Sequence, residues 1–204
     1  MSYFVLSQKE EPGCPIGSLD VALYDKFYTN ADDVQYGGFP WYTGKLTAEG
    51  RVFSEGMVLI SNDKLYDFDI RGVRRFFYIV SESFLEICKV LSVDIVDSSE
   101  IRVVSTSGDS IASKKYYAVV FRAMDVHKDV DPATTLMVEN GVPFRFKKLV
   151  LPVEIDLDLF KYGKLISGSS SLICSERFKI LAEGFKGINY TPLDTVLWSG
   201  IRAI

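Results

Sequence analysis

Two stretches of the chain carry the same order of residues: an apolar run, a Ser-Glu pair and then an amphipathic segment. Residues 76–95 read FFYIVSESFLEICKVLSVDI, and residues 171–192 read SLICSERFKILAEGFKGINYTP. In each stretch the apolar run predicts a strand, the serine predicts a helix start, and a short β-prone segment follows the helix. Two similar β-α-β units in one chain indicate a scaffold built on an internal repeat.

Each unit is predicted to contain one helix with a single buried face. The serines are preferred N-caps, so Ser81 or Ser83 is expected to start the first helix and Ser175 the second. Apolar residues at i, i+3, i+4 and i+7 predict the buried stripes: Phe84, Ile87, Cys88 and Leu91, and then Phe178, Leu181, Ala182 and Phe185. Gly187 is placed to end the second helix.

Further apolar or alternating runs predict the strands of a sheet. They lie at residues 3–6, 56–61, 76–80, 93–96, 101–104, 116–121 and 153–159. The unbroken apolar run at 116–121 is typical of a central strand, whereas the alternation at 153–159 predicts a strand with one solvent-facing side. Residues 97–100, with the sequence DSSE, are expected to form a turn between two strands.

This pattern predicts an α+β fold, with a mixed, largely antiparallel sheet, a few helices and two similar strand-helix-strand units. At 204 residues, of which 48% are hydrophobic, the chain is long enough for one sizeable core. No linker-like segment separates the two units, so we expect a single domain over residues 1–204. The aromatic-rich residues 1–72 are a candidate N-terminal lobe beside a core at residues 73–204.

Charge and composition argue against several classes of protein. A formal net charge of −4 argues against a general nucleic-acid binder, which needs a cationic surface. The first residues lack a basic start followed by a long apolar segment, and no apolar run reaches membrane-spanning length. The three cysteines, Cys14, Cys88 and Cys174, match neither a disulfide framework nor a zinc site. We therefore expect a cytoplasmic protein that binds neither nucleic acid nor membrane.

Catalysis and metal binding are weakly indicated. The side chains that could take part are few and separate: His127, Cys88, Cys174, Ser81, Ser175 and two aspartate pairs, Asp67 with Asp69 and Asp156 with Asp158. The single histidine is expected on the surface, the cysteines fit core positions, and helix capping explains both serines. Neither aspartate pair has further cation ligands near it in the sequence. We therefore predict no enzyme, no catalytic residue, no cofactor and no metal site.

A binding surface is better supported, by a turn-rich segment with many aromatic residues. Residues 24–44, called the aromatic segment below, combine large rings with acids: Tyr24, Phe27, Tyr28, Tyr36, Phe39, Trp41 and Tyr42, with Asp25, Asp32 and Asp33. Such rings supply contact area at small entropic cost, and the acids can pair with a basic partner. The alternative is that the rings fold back as a lid on the core. A second candidate surface is the acidic row Glu154, Asp156 and Asp158.

Two motifs in the second unit carry a resemblance to a known family. They are a strand-to-helix step, I-V/C-S-E-x-F-K, and a continuation, G-x-x-G-I-x-F/Y-x-P. The chain supplies Ile173-Cys174-Ser175-Glu176-Arg177-Phe178-Lys179, and then Gly184-Phe185-Lys186-Gly187-Ile188-Asn189-Tyr190-Thr191-Pro192. With these motifs, residues 76–194 resemble a family of bacterial immunity proteins from polymorphic toxin systems.

The resemblance implies a non-enzymatic cytoplasmic protein that binds a cognate toxin domain and blocks it. Our leading prediction is therefore an immunity protein that neutralises a toxin, encoded by a neighbouring gene, through direct protein–protein binding. Two alternatives stay open. One is a small-molecule binding module, or an enzyme of unrecognised class, that uses the aromatic segment as a pocket. The other is a structural or phage-associated protein that assembles through an exposed strand.

Overall fold

The computed structural model describes residues 2–17, 19–73, 76–165 and 171–204. Within these ranges the chain forms three helices: α1 (Pro40–Thr43), α2 (Glu82–Val90) and α3 (Glu176–Leu181). It also forms thirteen strands: β1 (Tyr3–Gln8), β2 (Val21–Tyr24), β3 (Val58–Ser61), β4 (Ile70–Val73), β5 (Phe77–Ser81), β6 (Ile95–Ser105), β7 (Tyr116–Phe121), β8 (Ala123–Asp125), β9 (Thr135–Glu139), β10 (Val142–Lys148), β11 (Leu159–Gly163), β12 (Ile173–Ser175) and β13 (Ile188–Pro192). The fold is mostly β-sheet with few helices and contains mixed sheets, as predicted, but the described strands divide among three sheets rather than forming one.

The larger sheet has six strands in the order β2-β3-β6-β7-β5-β4. Its neighbouring strands are antiparallel except β3 and β6, which are parallel. The apolar run Tyr116–Phe121 forms β7 in the interior of this sheet, between β5 and β6, which confirms the predicted central strand. Every residue of β5 is buried, as expected for a strand covered on both faces.

The second sheet joins the two ends of the chain. Its order is β13-β1-β12-β11-β8, with β11 and β8 parallel and the other neighbours antiparallel. The N-terminal strand β1 lies between two strands from the C-terminal part, while β2 and β3 belong to the larger sheet. The first 72 residues therefore supply strands to both sheets. The division of the chain into domains stays a prediction.

Both large sheets share one hydrophobic core with α2 and α3. Tyr78 from the larger sheet and Leu6 from the smaller sheet belong to this core. Phe84 in α2 and Phe178 in α3 are fully buried there, and their ring centroids lie 5.4 Å apart. The far side of the smaller sheet is covered by the antiparallel β9–β10 hairpin and by Trp198. Each sheet therefore buries both of its faces over much of its area.

The predicted turn at residues 97–100 is wrong, because these residues lie inside the continuous strand β6. A register shift between Ile95 and Asp97 marks a bulge in the pairing of β6 with β7. The Asp97 carboxylate accepts hydrogen bonds from the backbone N–H groups of Val52 at 2.8 Å and Phe53 at 3.0 Å. These partners are distant in sequence, so the local pattern of turn-forming residues did not reveal them.

The alternating residues 153–159 do not form the predicted strand. Residues 153–154 form a turn, and β11 begins only at Leu159. The side chain of Val153 is 94% exposed, so the apolar members of the alternation do not share a buried face. This stretch is a surface connection that leads into β11.

The two longer helices begin at serines, as predicted. The Ser81 hydroxyl accepts the backbone N–H of Phe84 at 3.2 Å, and the Ser175 hydroxyl accepts that of Phe178 at 3.1 Å. Ser83 is exposed within the first turn of α2 and is not the cap. The similarity of the two units beyond these shared caps stays a prediction.

The second helix is shorter than predicted, because α3 ends at Leu181 rather than at Gly187. Gly187 has a φ of +78°, and a Cβ at this position would lie 2.9 Å from the guanidinium nitrogens of the buried Arg71. Gly187 therefore serves the close approach of the backbone to Arg71, whose Nη1 donates to the Gly187 carbonyl at 2.8 Å.

Candidate functional site

The aromatic segment wraps around β2, the strand at the edge of the larger sheet. The indole Nε1–H of Trp41 donates to the Leu23 carbonyl at 3.0 Å, and the Leu23 N–H donates to the Tyr42 hydroxyl at 2.8 Å. An edge strand leaves such backbone groups without a neighbouring strand. Trp41 and Tyr42, carried by α1, therefore satisfy both outward backbone groups of Leu23 and close the edge at this residue.

The remaining aromatic residues of the segment cover one face of β2 and β3. Phe27, Tyr28, Tyr36 and Phe39 pack on a cluster that contains Tyr24 and its strand neighbours. Ring centroids of Tyr24 and Tyr28 lie 5.5 Å apart, and those of Phe39 and Trp41 lie 4.8 Å apart in a stacked arrangement. These contacts fill space between the rings, so the segment forms a packed layer on the sheet.

The predicted binding residues of this segment divide into two groups. Tyr24, Trp41 and Tyr42 are 3%, 4% and 7% exposed, which places them in the core and favours the lid for these three. Asp32 and Asp33 are exposed, and the half-buried members of the group are Tyr28, Tyr36 and Phe39. A partner in contact with the folded chain reaches the second group and not the first.

Tyr28, in the second group, is paired with the carboxylate of the neighbouring Asp25. The Tyr28 hydroxyl donates to Asp25 Oδ1 at 3.0 Å, and this hydrogen bond raises the pKa of Tyr28. Lys26 lies over the Tyr28 ring, with its Nζ 5.3 Å from the centroid. Asp32 and Asp33 lie in a 3₁₀ turn, Ala31–Asp33, and form no ion pair among the described residues. Their charges are available to a basic group of a partner.

The acidic row does not act as one surface. Glu154 and Asp156 are exposed, whereas Asp158 is 7% exposed. Asp158 accepts a hydrogen bond from the Ser175 hydroxyl at 2.5 Å and is paired with Arg177. The hydrogen bond from Arg177, followed by that from Ser175, holds the pKa of Asp158 below its usual value. Asp158 therefore anchors the start of α3, and only Glu154 and Asp156 remain as candidate contacts.

The structure brings two pairs of the other candidates together: the Ser81 hydroxyl donates to Asp69 at 2.6 Å, and the Ser175 hydroxyl donates to Asp158. In both pairs the serine caps a helix, and neither cysteine nor His127 joins them. Cys88 and Cys174 are buried, and desolvation raises the pKa of both thiols, that of Cys88 to about 12. His127 is exposed. Asp69 forms an ion pair with Lys114, whose Nζ lies 2.7 Å from Asp69 Oδ2. Within the described ranges, no group of three or more His, Cys, Asp or Glu side chains is arranged to hold a metal ion.

A groove of about 920 Å³ lies beside β1, away from the aromatic segment. Its lining includes Phe4, Lys148, Leu149 and Trp198, and none of its lining residues belongs to residues 24–44. The hypothesis of a small-molecule pocket lined by Tyr36, Trp41 and Tyr42 gains no support from this groove.

One surface feature was missed by the sequence analysis: an apolar groove of about 600 Å³ between α2 and α3. Val90, Ile180 and Leu181 line it and are 76%, 65% and 47% exposed. Leu181 was predicted to be buried, but it is the last residue of the shortened α3. A signal was present for Val90 and Ile180, because both are apolar residues outside the buried stripes of their helices.

Two further findings bear on the identity of the chain. In the part of the chain that the structure describes, every helix is too short or too polar to cross a membrane. A model of the Immunity protein 43 family matches residues 8–198, which is nearly the whole chain. No curated protein matches the sequence.

The matched range contains residues 76–194, over which the motif resemblance extends, and it also contains the aromatic segment. It confirms the prediction of an immunity protein family. The chain therefore belongs to the Immunity protein 43 family.

Proposed function

We propose that the chain neutralises a bacterial toxin by binding it directly, as an inhibitor rather than as an enzyme. The observation that carries this proposal is the Immunity protein 43 match over residues 8–198. Inhibition by binding needs a complementary surface and no catalytic residue. The partner is then a cognate toxin domain encoded by a neighbouring gene, and the complex forms in the cytoplasm.

The exposed part of the aromatic segment is the surface on which we place the toxin. Asp32 and Asp33 supply negative charge, while Tyr28, Tyr36 and Phe39 supply partly exposed rings beside them. This combination suits a partner surface with Lys or Arg side chains, which pair with carboxylates and stack on aromatic rings. We add Glu154 and Asp156 as a second contact, since both are exposed acids.

The packing beneath this surface supports a binding role. Trp41 and Tyr42 attach the segment to β2, and the ring of Tyr36 lies 5.2 Å from the ring of Tyr42. Side chains that are already held in place lose little conformational entropy when a partner binds. The buried rings of the segment therefore contribute to toxin binding indirectly, by holding the exposed residues in position.

Coexpression with the toxin encoded beside this chain tests the proposal. Wild-type protein should restore the growth of cells that produce the toxin, and D32K/D33K should restore it less. The matched control is E55K/E139K, which makes the same charge change at two exposed acids outside the aromatic segment and should protect like the wild type. If the wild type neither binds the toxin nor restores growth, the proposal is wrong. If D32K/D33K protects fully, the toxin binds elsewhere.

A further inference from the structure

The groove between α2 and α3 is lined by aliphatic side chains that are exposed to solvent. Val90 comes from the end of α2, and Ile180 and Leu181 come from the end of α3. Leu91, which follows α2, is half-buried and also lines the groove. Exposed aliphatic side chains from two adjacent helices form one apolar patch, which is typical of a protein-binding surface.

The groove is built on a rigid base. Both helices are capped by buried serines, and Phe84 and Phe178 pack against each other beneath them. Phe185 stacks on Phe84 with a centroid distance of 5.8 Å. Because the helices are fixed by these contacts, a partner does not have to order the groove when it binds.

Negative charges border the apolar patch. Glu86 lies one helical turn before Val90, and Glu176 lies one helical turn before Ile180. Glu183 lies in the turn that follows α3, where its backbone N–H donates to the Ile180 carbonyl at 3.2 Å. All three glutamates are exposed, and none forms an ion pair among the described residues.

The basic residues nearby offset these charges only in part. Arg177, on the rim of the groove, is already paired with Asp158. Lys179 points away, with its Nζ 4.0 Å from the centroid of the Phe4 ring. Lys89 adds one positive charge beside Val90, so the border keeps an excess of negative charge.

We propose that the α2–α3 groove is a docking surface for the toxin, and that it receives a segment with aliphatic side chains flanked by Lys or Arg. The proposal rests on the proposed function and assigns it a contact that the aromatic segment does not include. A second copy of this chain fits the groove poorly. A symmetric dimer through the groove would bring together two copies of the same negatively charged border, which is repulsive.

The test is a binding titration with the toxin domain encoded beside this chain, using V90D/I180D. Both side chains are largely exposed, so the variant should keep the thermal midpoint of the wild type. Its dissociation constant for the toxin should rise by about tenfold or more, since an acid replaces an aliphatic contact at each position. The matched control is V138D/V142D, which also adds two acids, at valines that are 58% and 45% exposed on β9 and β10, and it should bind like the wild type.

The outcomes separate this inference from the proposed function. Unchanged toxin affinity of V90D/I180D, with tight binding by the wild type, overturns the groove while the proposed function stands. No toxin binding by the wild type overturns both. If the wild type is a dimer that V90D/I180D converts to a monomer without loss of toxin affinity, the groove is a self-interface and the proposal is wrong. If E86K/E176K/E183K weakens binding as well, the expected basic flank is supported.

Discussion

The backbone N–H of Leu23 donates a 2.8 Å hydrogen bond to the hydroxyl of Tyr42, nineteen positions later in the chain. Trp41, the residue before Tyr42, donates to the Leu23 carbonyl. The edge of the larger sheet is thus closed at Leu23 by side chains rather than by another strand. The aromatic segment consequently combines two roles: its buried members stabilise the sheet, and its exposed members face solvent.

The Tyr42 hydroxyl should contribute measurably to stability. Tyr42→Phe removes the acceptor of the buried Leu23 N–H, which should lower the free energy of unfolding by about 1–3 kcal/mol. Urea denaturation measures this change. Tyr28→Phe is the control, because its hydroxyl pairs with the exposed Asp25 and its loss should cost little. Equal stability of Tyr42→Phe and wild type would contradict a structural role for this contact.

Capping of α2 should depend on Ser81 and not on Ser83. Ser81→Ala removes the acceptor of the Phe84 N–H and the donor to Asp69 Oδ1 at 2.6 Å. The expected loss of stability is about 1–2 kcal/mol. Ser83→Ala, at an exposed position in the same turn, should change stability by less than about 0.5 kcal/mol. A thermal melt of both variants decides between the two serines, and the reverse order of stabilities would show that Ser83 is the cap.

Asp158 should make stability depend on pH. Its pKa is lowered in the folded chain, so the folded state binds this proton more weakly than the unfolded chain, where an aspartate has a pKa of about 3.9. The contribution is therefore present above about pH 4 and is lost as the pH falls through the folded-state pKa. Asp158→Asn should be less stable than the wild type at pH 7 and should lose less stability on acidification.

Denaturation at a series of pH values measures this difference. Asp156→Asn is the control, since Asp156 is exposed. The stability of this variant should change with pH as that of the wild type does. An unchanged acid-induced loss of stability in Asp158→Asn would show that the pairing with Arg177 and Ser175 does not contribute.

Gly187 should tolerate substitution less well than its neighbour Gly184. Both have a positive φ, so alanine at either position costs about 1–2 kcal/mol of backbone strain. A Cβ at Gly187 would also lie 2.9 Å from the Arg71 guanidinium nitrogens, whereas nothing lies within 4 Å of a Cβ at Gly184. Gly187→Ala should therefore melt at a lower temperature than Gly184→Ala. Equal melting temperatures would mean that Arg71 moves aside without loss of stability.

Strands that depend on local apolar pattern could be predicted from the sequence, and those that depend on distant contacts could not. The runs at β5 and β7 are buried on both faces, so their composition alone indicates interior strands. The turn-like residues 97–100 are extended because they pair with residues 117–120 of β7, and the Asp97 carboxylate also binds backbone N–H groups of Val52 and Phe53. A local pattern does not contain this information.

The candidate site also could be predicted from the sequence only where it depends on local composition. The composition of residues 24–44 identified an aromatic, acidic segment, but the division into buried and exposed rings depends on β2 being an edge strand. Likewise, Asp158 looks like a member of an exposed row until Ser175 and Arg177 are brought next to it by α3. Val90 and Ile180 left a signal in the helical periodicity, as apolar residues outside the buried stripes.

The most direct test of the central claim is a calorimetric titration of the purified toxin domain, encoded beside this chain, with the purified chain. Direct neutralisation predicts saturable one-to-one binding with a dissociation constant of about 1 μM or lower. The affinity should decrease with added salt, because the proposed contact includes the exposed acids Asp32 and Asp33. A folded, active toxin domain that shows no binding at low salt would contradict the claim.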